Sequence, residues 1–301
     1  MTRVCEDIYK KGFSYNKKDG FYIEEVLKSQ LDILLKNIHN DWDFTILITG
    51  GGEVRVGKSV LAMQIAAYWK AMVKEKFGKT IPLDPKINFC FDGKKLIEVG
   101  NKLGTKYSYP VLIYDEAGAD LEGRKVMQTV TQDVLDFYRE CGQYNMLNII
   151  VLPEFFDLPK GIALSRSIFL LDVSYFATDE GMLQRGYFNF YSRPNKKWLY
   201  LKGKKDLNYQ AYHWDFHGRF YHFYPVKEEE YRAAKQEALK KRESKRRNKF
   251  QIQRDWCWYL LTQEVGWTQE QLGKRMEQGT GIFVAQRTVS DGIRHYLMEN
   301  E

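Results

Sequence analysis

Only four cysteines occur in the 301 residues, Cys5, Cys90, Cys141 and Cys257, and no two of them form a CxxC pair. That spacing argues against a disulfide framework or a zinc ribbon and fits free thiols in a reducing compartment. No stretch approaches the roughly 18 consecutive apolar residues of a membrane span. The opening residues, MTRVCEDIYKKGFSYNKKDG, lack the apolar centre of a signal peptide. The expectation is a cytoplasmic protein without a membrane span. Internal repeats and low-complexity tracts are also missing. His213, His217 and His222 have a ligand-like spacing, but no acids stand at matching positions, so no metal centre is expected there.

What is present fits a globular protein. Hydrophobic residues make up 44% and charged residues 28% of the chain. The length suggests two domains on a prior of roughly 150 residues each. The formal net charge of +7 favours an anionic partner such as nucleic acid.

Short apolar runs alternate with helical patterns. FTILIT (44–49), INFCF (87–91), VLIY (111–114), LNIIVL (147–152) and SIFLLDV (167–173) read as strands. Helical patterns fall between them, from Val60 to about Phe77, around Lys94 to Leu103, and from about Arg124 to Cys141. This order predicts an α/β fold with a mainly parallel sheet covered on both faces. Ligands of such sheets bind at the carboxyl ends of the strands. From 185 to 224 the pattern changes to aromatic-rich runs that predict two appended β-hairpins. One turns at Arg193-Pro194-Asn195-Lys196 and the other at His217-Gly218. Their aromatics could stack on bases or simply pack a small sheet against the core.

The strongest chemical signal follows the first strand. Gly52-Glu53-Val54-Arg55-Val56-Gly57-Lys58-Ser59, running into Val60, matches G-x-x-x-x-G-K-[ST] between a strand and a helix. Glycines there allow close backbone approach, so that successive N–H groups and the helix N-terminus face phosphate oxygens. The expected ligands are ATP and Mg2+: Lys58 would hold the β- and γ-phosphates, and the Ser59 hydroxyl would ligate the metal. The strand VLIY ends in Asp115-Glu116. Asp115 is placed to complete the Mg2+ site, and Glu116 to activate a water, which favours hydrolysis over transfer to a small acceptor. Such sites often need an arginine, supplied by a neighbouring subunit, to stabilise the transferring phosphate. Arg124 and Arg139 are the preferred candidates, Arg166 a further one. Pro153-Glu154, at the end of the fourth strand, stands where a γ-phosphate-sensing group could sit.

The order of P-loop, Asp-Glu strand, arginine-containing helix and the strand of NIIVLPEFFDLP resembles the FtsK–HerA superfamily of P-loop ATPases over about residues 40–205. DEAGADLEGRKVMQTVTQDVLDFYRECGQYNMLNIIVLP is most similar to its zonula occludens toxin-like branch, found in viruses, plasmids and integrated elements. The resemblance implies a RecA-like P-loop NTPase core. It further implies a homo-oligomer, probably hexameric, that moves or packages DNA or drives virion assembly. By the same resemblance Lys58 and Ser59 go to phosphate and Mg2+, Asp115 to Mg2+, Glu116 to catalysis, and Arg124 or Arg139 to the trans arginine role. Two features depart from it. The membrane segment of the branch's namesakes is absent, and Pro153-Glu154 replaces the glutamine often found at the strand end.

Three domains are expected: an ATPase domain over 1–225, carrying the hairpins of 185–224, a basic helical linker over 226–250, and a small helical C-terminal domain over 251–301. Residues 235–254 hold nine Lys or Arg against two Glu, enough to contact several phosphates. Thr268 can cap a helix beginning WTQEQLGKRM. The following QRTVSDGIRHYL is similar to the recognition helix of a helix-turn-helix, with Gln286, Arg287, Ser290 and Arg294 towards DNA. DNA is therefore the expected partner, through 235–297. The functions in competition are a DNA-translocating or packaging motor, an ATP-switched DNA-binding regulator, and a virion-assembly or export ATPase whose tail docks protein.

Overall fold

The computed structural model describes residues 22–53, 55–117, 121, 129–177, 179–245 and 249–300. They fall into two compact units, residues 1–235 and 236–301.

In the first unit, helix α1 (Glu25–Asn37) precedes strand β1 (Phe44–Thr49), helix α2 (Lys58–Phe77), strand β2 (Phe89–Cys90), helix α3 (Gly93–Lys106) and strand β3 (Val111–Tyr114). Helix α4 (Thr129–Glu140), strand β4 (Leu147–Val151), a π-helical turn (Gly161–Arg166) and strands β5 (Ser167–Ala177) and β6 (Leu183–Tyr191) follow. Helix α5 (Arg193–Gly203) and strand β7 (Phe216–Arg219) complete the sheet region, and helix α6 (Glu228–Lys245) begins after it. The seven strands lie in the order β2-β3-β4-β1-β5-β6-β7. The first five pair in parallel, and β6 and β7 add antiparallel to them. This mixed α/β sheet is consistent with a P-loop NTPase fold.

The parallel strands are buried on both faces, which is why they read as continuous apolar runs rather than alternating ones. Tyr114, Ile150, Leu47 and Leu170 form one cross-strand row. Leu96, Leu103, Val134 and Tyr138 of α3 and α4 pack into the same core as that row. Helix α2 contacts β1, β3 and β4 and buries residues almost all round, including Trp69. The carboxyl ends of β1, β3, β4 and β5 therefore open on one edge of the sheet, with α2 leaving from it.

The expected hairpins are not formed as predicted. Arg193-Pro194-Asn195-Lys196, expected as a turn, opens helix α5 instead, with Pro194 in its first turn, where the missing N–H costs nothing. Ser192 precedes it, fixed by Asp215, whose carboxylate accepts from the Ser192 backbone N–H (2.6 Å) and hydroxyl (3.0 Å). KWLYLKG alternates like a strand, yet Lys196, Leu199, Tyr200 and Gly203 are the buried positions, at helical spacing. His217 and Gly218 lie inside β7, which pairs with β6, rather than in a turn.

The second unit holds helices α7 (Lys249–Gln263), α8 (Gln269–Thr280) and α9 (Gln286–Asn300) around Trp258, Leu272, Val289 and Ile293. Thr268 caps α8 in a reciprocal arrangement with Gln271. Among the described residues no helix is long and apolar enough to cross a membrane.

Candidate functional site

Strand β1 delivers the chain to a loop that turns back through Gly51 to Gly57 before α2 begins at Lys58. Backbone bonds Gly52 N to Pro153 O (2.9 Å) and Glu53 N to Gly50 O (2.7 Å) shape it. Gly57 takes φ of +106°, and a Cβ there would meet the Phe220 ring at 3.1 Å, so a side chain is excluded on both counts. Arg55 adopts a positive φ of 60° without being glycine. Gly57 is the N-cap of α2 and makes no side-chain capping bond, so no side chain from that position covers the first-turn N–H groups. That donor set fits a phosphate chain. Val54 lies outside the described residues. Val56 and Val60 are buried, while Glu53 and Arg55 are exposed.

Lys58 bends its ammonium back to donate to the Glu53 carbonyl. Burial lowers its pKa, while Glu116 and Asp115 pull the other way. Ser59 donates to Asp115 Oδ2 at 3.0 Å, across 56 residues of sequence. The two motifs thus converge at the ends of β1 and β3, and a hydroxyl facing a buried carboxylate is a donor set that fits Mg2+. Asp115 is 1% exposed, and its Oδ1 accepts from the Glu116 backbone N–H at 3.0 Å. Glu116 has a φ of +62°, a conformation that non-glycine residues keep where surrounding contacts impose it.

Several members of the site carry no sequence motif. Tyr231 donates to Asp115 Oδ2, and the Lys235 ammonium lies 3.2 Å from the same oxygen and 2.7 Å from Glu116 Oε1. Burial would lower the Lys235 pKa, but the two carboxylates outweigh it and the pKa is raised. Both residues come from α6, four positions apart and so on one helix face. Only that spacing could have flagged them, and the dense charge of 227–254 hid it.

Glu154, at the end of β4, is anchored rather than loose. Its Oε1 accepts from the Tyr209 hydroxyl (2.6 Å) and the Phe156 N–H (3.2 Å). The Tyr209 oxygen also accepts from the Phe155 N–H (2.9 Å) and lies 3.2 Å from Thr49 Oγ1. Burial and Glu154 push the Tyr209 pKa up, so it remains a donor.

Asp172, at the β5 position paired with Thr49, is buried with no hydrogen-bond partner for its Oδ1. Burial, then the nearby Glu154 carboxylate, raise its pKa from 3.8 to about 7 against the pull of Lys58. The folded protein therefore holds a proton that the unfolded chain releases between these two values. Stability from this group falls as pH rises through that window. Asp172→Asn should flatten the slope and raise the melting temperature at pH 8 by at least about 3 °C, on the scale of a few degrees per kcal/mol. Thermal unfolding from pH 4 to 8 checks this, and an unchanged slope would argue against a proton held by Asp172.

The arginines are not brought to this site within one chain. Arg124 lies outside the described residues. Arg139 pairs with Asp136 (2.6 Å) near the end of α4, with its side chain 71% exposed. It sits towards the amino end of β4, away from the phosphate loop. Arg166 is committed to Asp43 and to the Cys141 sulfur, beside the start of β1.

No family model matches the chain, and no curated protein matches it. Among solved structures it is similar to the genome packaging NTPase B204 from Sulfolobus turreted icosahedral virus 2 in complex with ATP-gammaS. The identity is 15% over 51% of this chain and 94% of that one, with a TM-score of 0.35. It is also similar to B204, the DNA-packaging ATPase from Sulfolobus turreted icosahedral virus, at 17% identity over 52% and 95% of the two chains, TM-score 0.34. A third is the N-terminal domain of zonular occludens toxin from Neisseria meningitidis, at 12% identity over 64% and 98%, TM-score 0.39.

Proposed function

We propose that the chain hydrolyses ATP at the site between the phosphate loop and the β3 acids, as a homo-oligomer that moves or packages DNA. The observation that carries the reading is the Ser59–Asp115 contact, which unites two distant motifs in one hydrolytic arrangement. Mg2+ would be held by Ser59 and Asp115 and, when bound, would neutralise charge on the β- and γ-phosphoryl oxygens. Lys58 supplies a fixed positive charge to the same phosphates. Glu116, next along the chain from Asp115, accepts the proton of the attacking water. An arginine from a neighbouring copy, Arg124 or Arg139, would complete the charge stabilisation, with a ring of six as the simplest closed arrangement.

The second unit supports the choice of DNA. Helix α9 buries Val289 and Ile293 and leaves Gln286, Arg287 and Arg294 exposed, with Ser290 half-buried between them. In a helix-turn-helix this face would enter the major groove, while the basic stretch of 235–254 would contact phosphates. Arg287→Ala with Arg294→Ala should weaken duplex binding and lower the salt slope by up to about two. Basal hydrolysis should be unchanged. Binding measured from 50 to 200 mM salt checks this, and an unaltered slope would remove α9 from the interface. Translocation itself is tested by displacement of a third strand from a triplex with ATP. Equal stimulation of hydrolysis by short and long duplexes would count against it.

A further inference from the structure

The metal-facing carboxylate of the candidate site is already engaged by the chain's own helix α6. Asp115 Oδ2 receives the Ser59 hydroxyl at 3.0 Å, the Tyr231 hydroxyl, and the Lys235 ammonium at 3.2 Å. Lys235 also reaches Glu116 Oε1 at 2.7 Å. Three donors on one oxygen leave little capacity for another, since a carboxylate offers about four acceptor sites over both oxygens. A cation held by Ser59 and Asp115 would share that oxygen with the ammonium and be repelled by it.

The seat of the helix is built rather than casual. The Tyr231 ring is 5% exposed and lies 5.6 Å from that of Phe89, 6.1 Å from Phe91 and 6.3 Å from Tyr224. Lys235 lies one turn further along the helix, 5.9 Å from the Tyr231 ring centre. The first turn of α6 carries Glu228, Glu229 and Glu230, which suits a helix N-terminus and favours its formation at this place. Gln64 of α2 adds a tether, donating to the carbonyls of Tyr221 (2.6 Å) and Phe223 (3.0 Å) in the segment that leads to α6.

We propose that Tyr231 and Lys235 form an autoinhibitory contact, a built-in competitor for Mg2+ that must withdraw from Asp115 and Glu116 before metal and nucleotide engage. This rests on the reading of the site as one for Mg2+ and ATP. In this account the ammonium stands in for the divalent cation, and hydrolysis is gated by the position of α6.

The test uses the full chain with Lys235→Ala and, separately, Tyr231→Phe, which keeps the ring in its aromatic socket and removes only the hydroxyl. Binding of a fluorescent ATP analogue is titrated against Mg2+, and phosphate release is followed in parallel. Losing a charge-assisted contact to a buried carboxylate should lower the half-saturating Mg2+ concentration by about tenfold in Lys235→Ala. The change should be smaller but in the same direction in Tyr231→Phe, with faster basal turnover in both. An unchanged Mg2+ requirement, or slower turnover at saturating Mg2+, overturns the proposal and makes Lys235 part of the hydrolytic machinery. Lys58→Ala separates the two levels. If the unaltered chain shows Mg2+-dependent nucleotide binding that this variant loses, the site reading stands whatever the α6 variants do. If it shows none, the site reading fails and takes the proposal with it.

Discussion

Lys58→Ala should reduce ATP hydrolysis by at least about a hundredfold, and by up to about a thousandfold, the range found when one preorganised donor to a charged transition state is removed. The reasoning starts from its position at the first residue of α2, directly after a loop whose conformation requires glycine at position 57. The ammonium faces the nucleotide side of the β1 end, with Glu116, Asp115 and Asp172 all drawing on it. Burial lowers its pKa, yet those carboxylates oppose the loss of charge, which suits a lysine that must meet phosphate as a cation. Alanine keeps the helix start and removes only the charge, so thermal unfolding should shift little while turnover collapses. Steady-state phosphate release, measured beside a melting curve, separates loss of chemistry from loss of fold.

Glu116→Gln should slow turnover by about 10²- to 10⁴-fold, the usual contribution of a general base, while leaving nucleotide binding intact. Glutamine preserves the size and one acceptor oxygen but cannot take the water's proton. Asp115, which faces Ser59, is untouched, so affinity for the Mg2+-bound nucleotide should change by less than about threefold, well under 1.4 kcal/mol. The variant should hold ATP without cleaving it, visible as a stable bound triphosphate in single-turnover quench. Rapid cleavage by this variant would move the base elsewhere, with Glu154 the next carboxylate to examine.

Residue types and local pattern carried most of the sheet. FTILIT and VLIY coincide with β1 and β3, because strands buried on both faces leave an uninterrupted apolar signature. INFCF shrinks to Phe89–Cys90 at the sheet edge, where one neighbour rather than two defines the strand. Helix α1 was not read at all, although Leu27, Leu31, Leu34 and Leu35 sit at helical spacing ahead of β1. The stretch 193–203 was read with the wrong period. Its aromatic and apolar residues satisfy both a two-residue and a 3.6-residue repeat, and only Ser192 and Pro194 point to a helix start. The nucleotide loop and the acidic pair were legible because their chemistry dictates their local sequence. Tyr231, Lys235, Asp172 and Tyr209 were not, since each reaches the site through tertiary packing from a segment with no motif of its own.

The most direct measurement is phosphate release from ATP by the full chain, in Mg2+ and in EDTA, beside Lys58→Ala and Glu116→Gln. The account predicts Mg2+-dependent release by the unaltered protein that both variants lose, with Glu116→Gln still binding nucleotide. Release that persists undiminished in Lys58→Ala, or that ignores Mg2+, would contradict it.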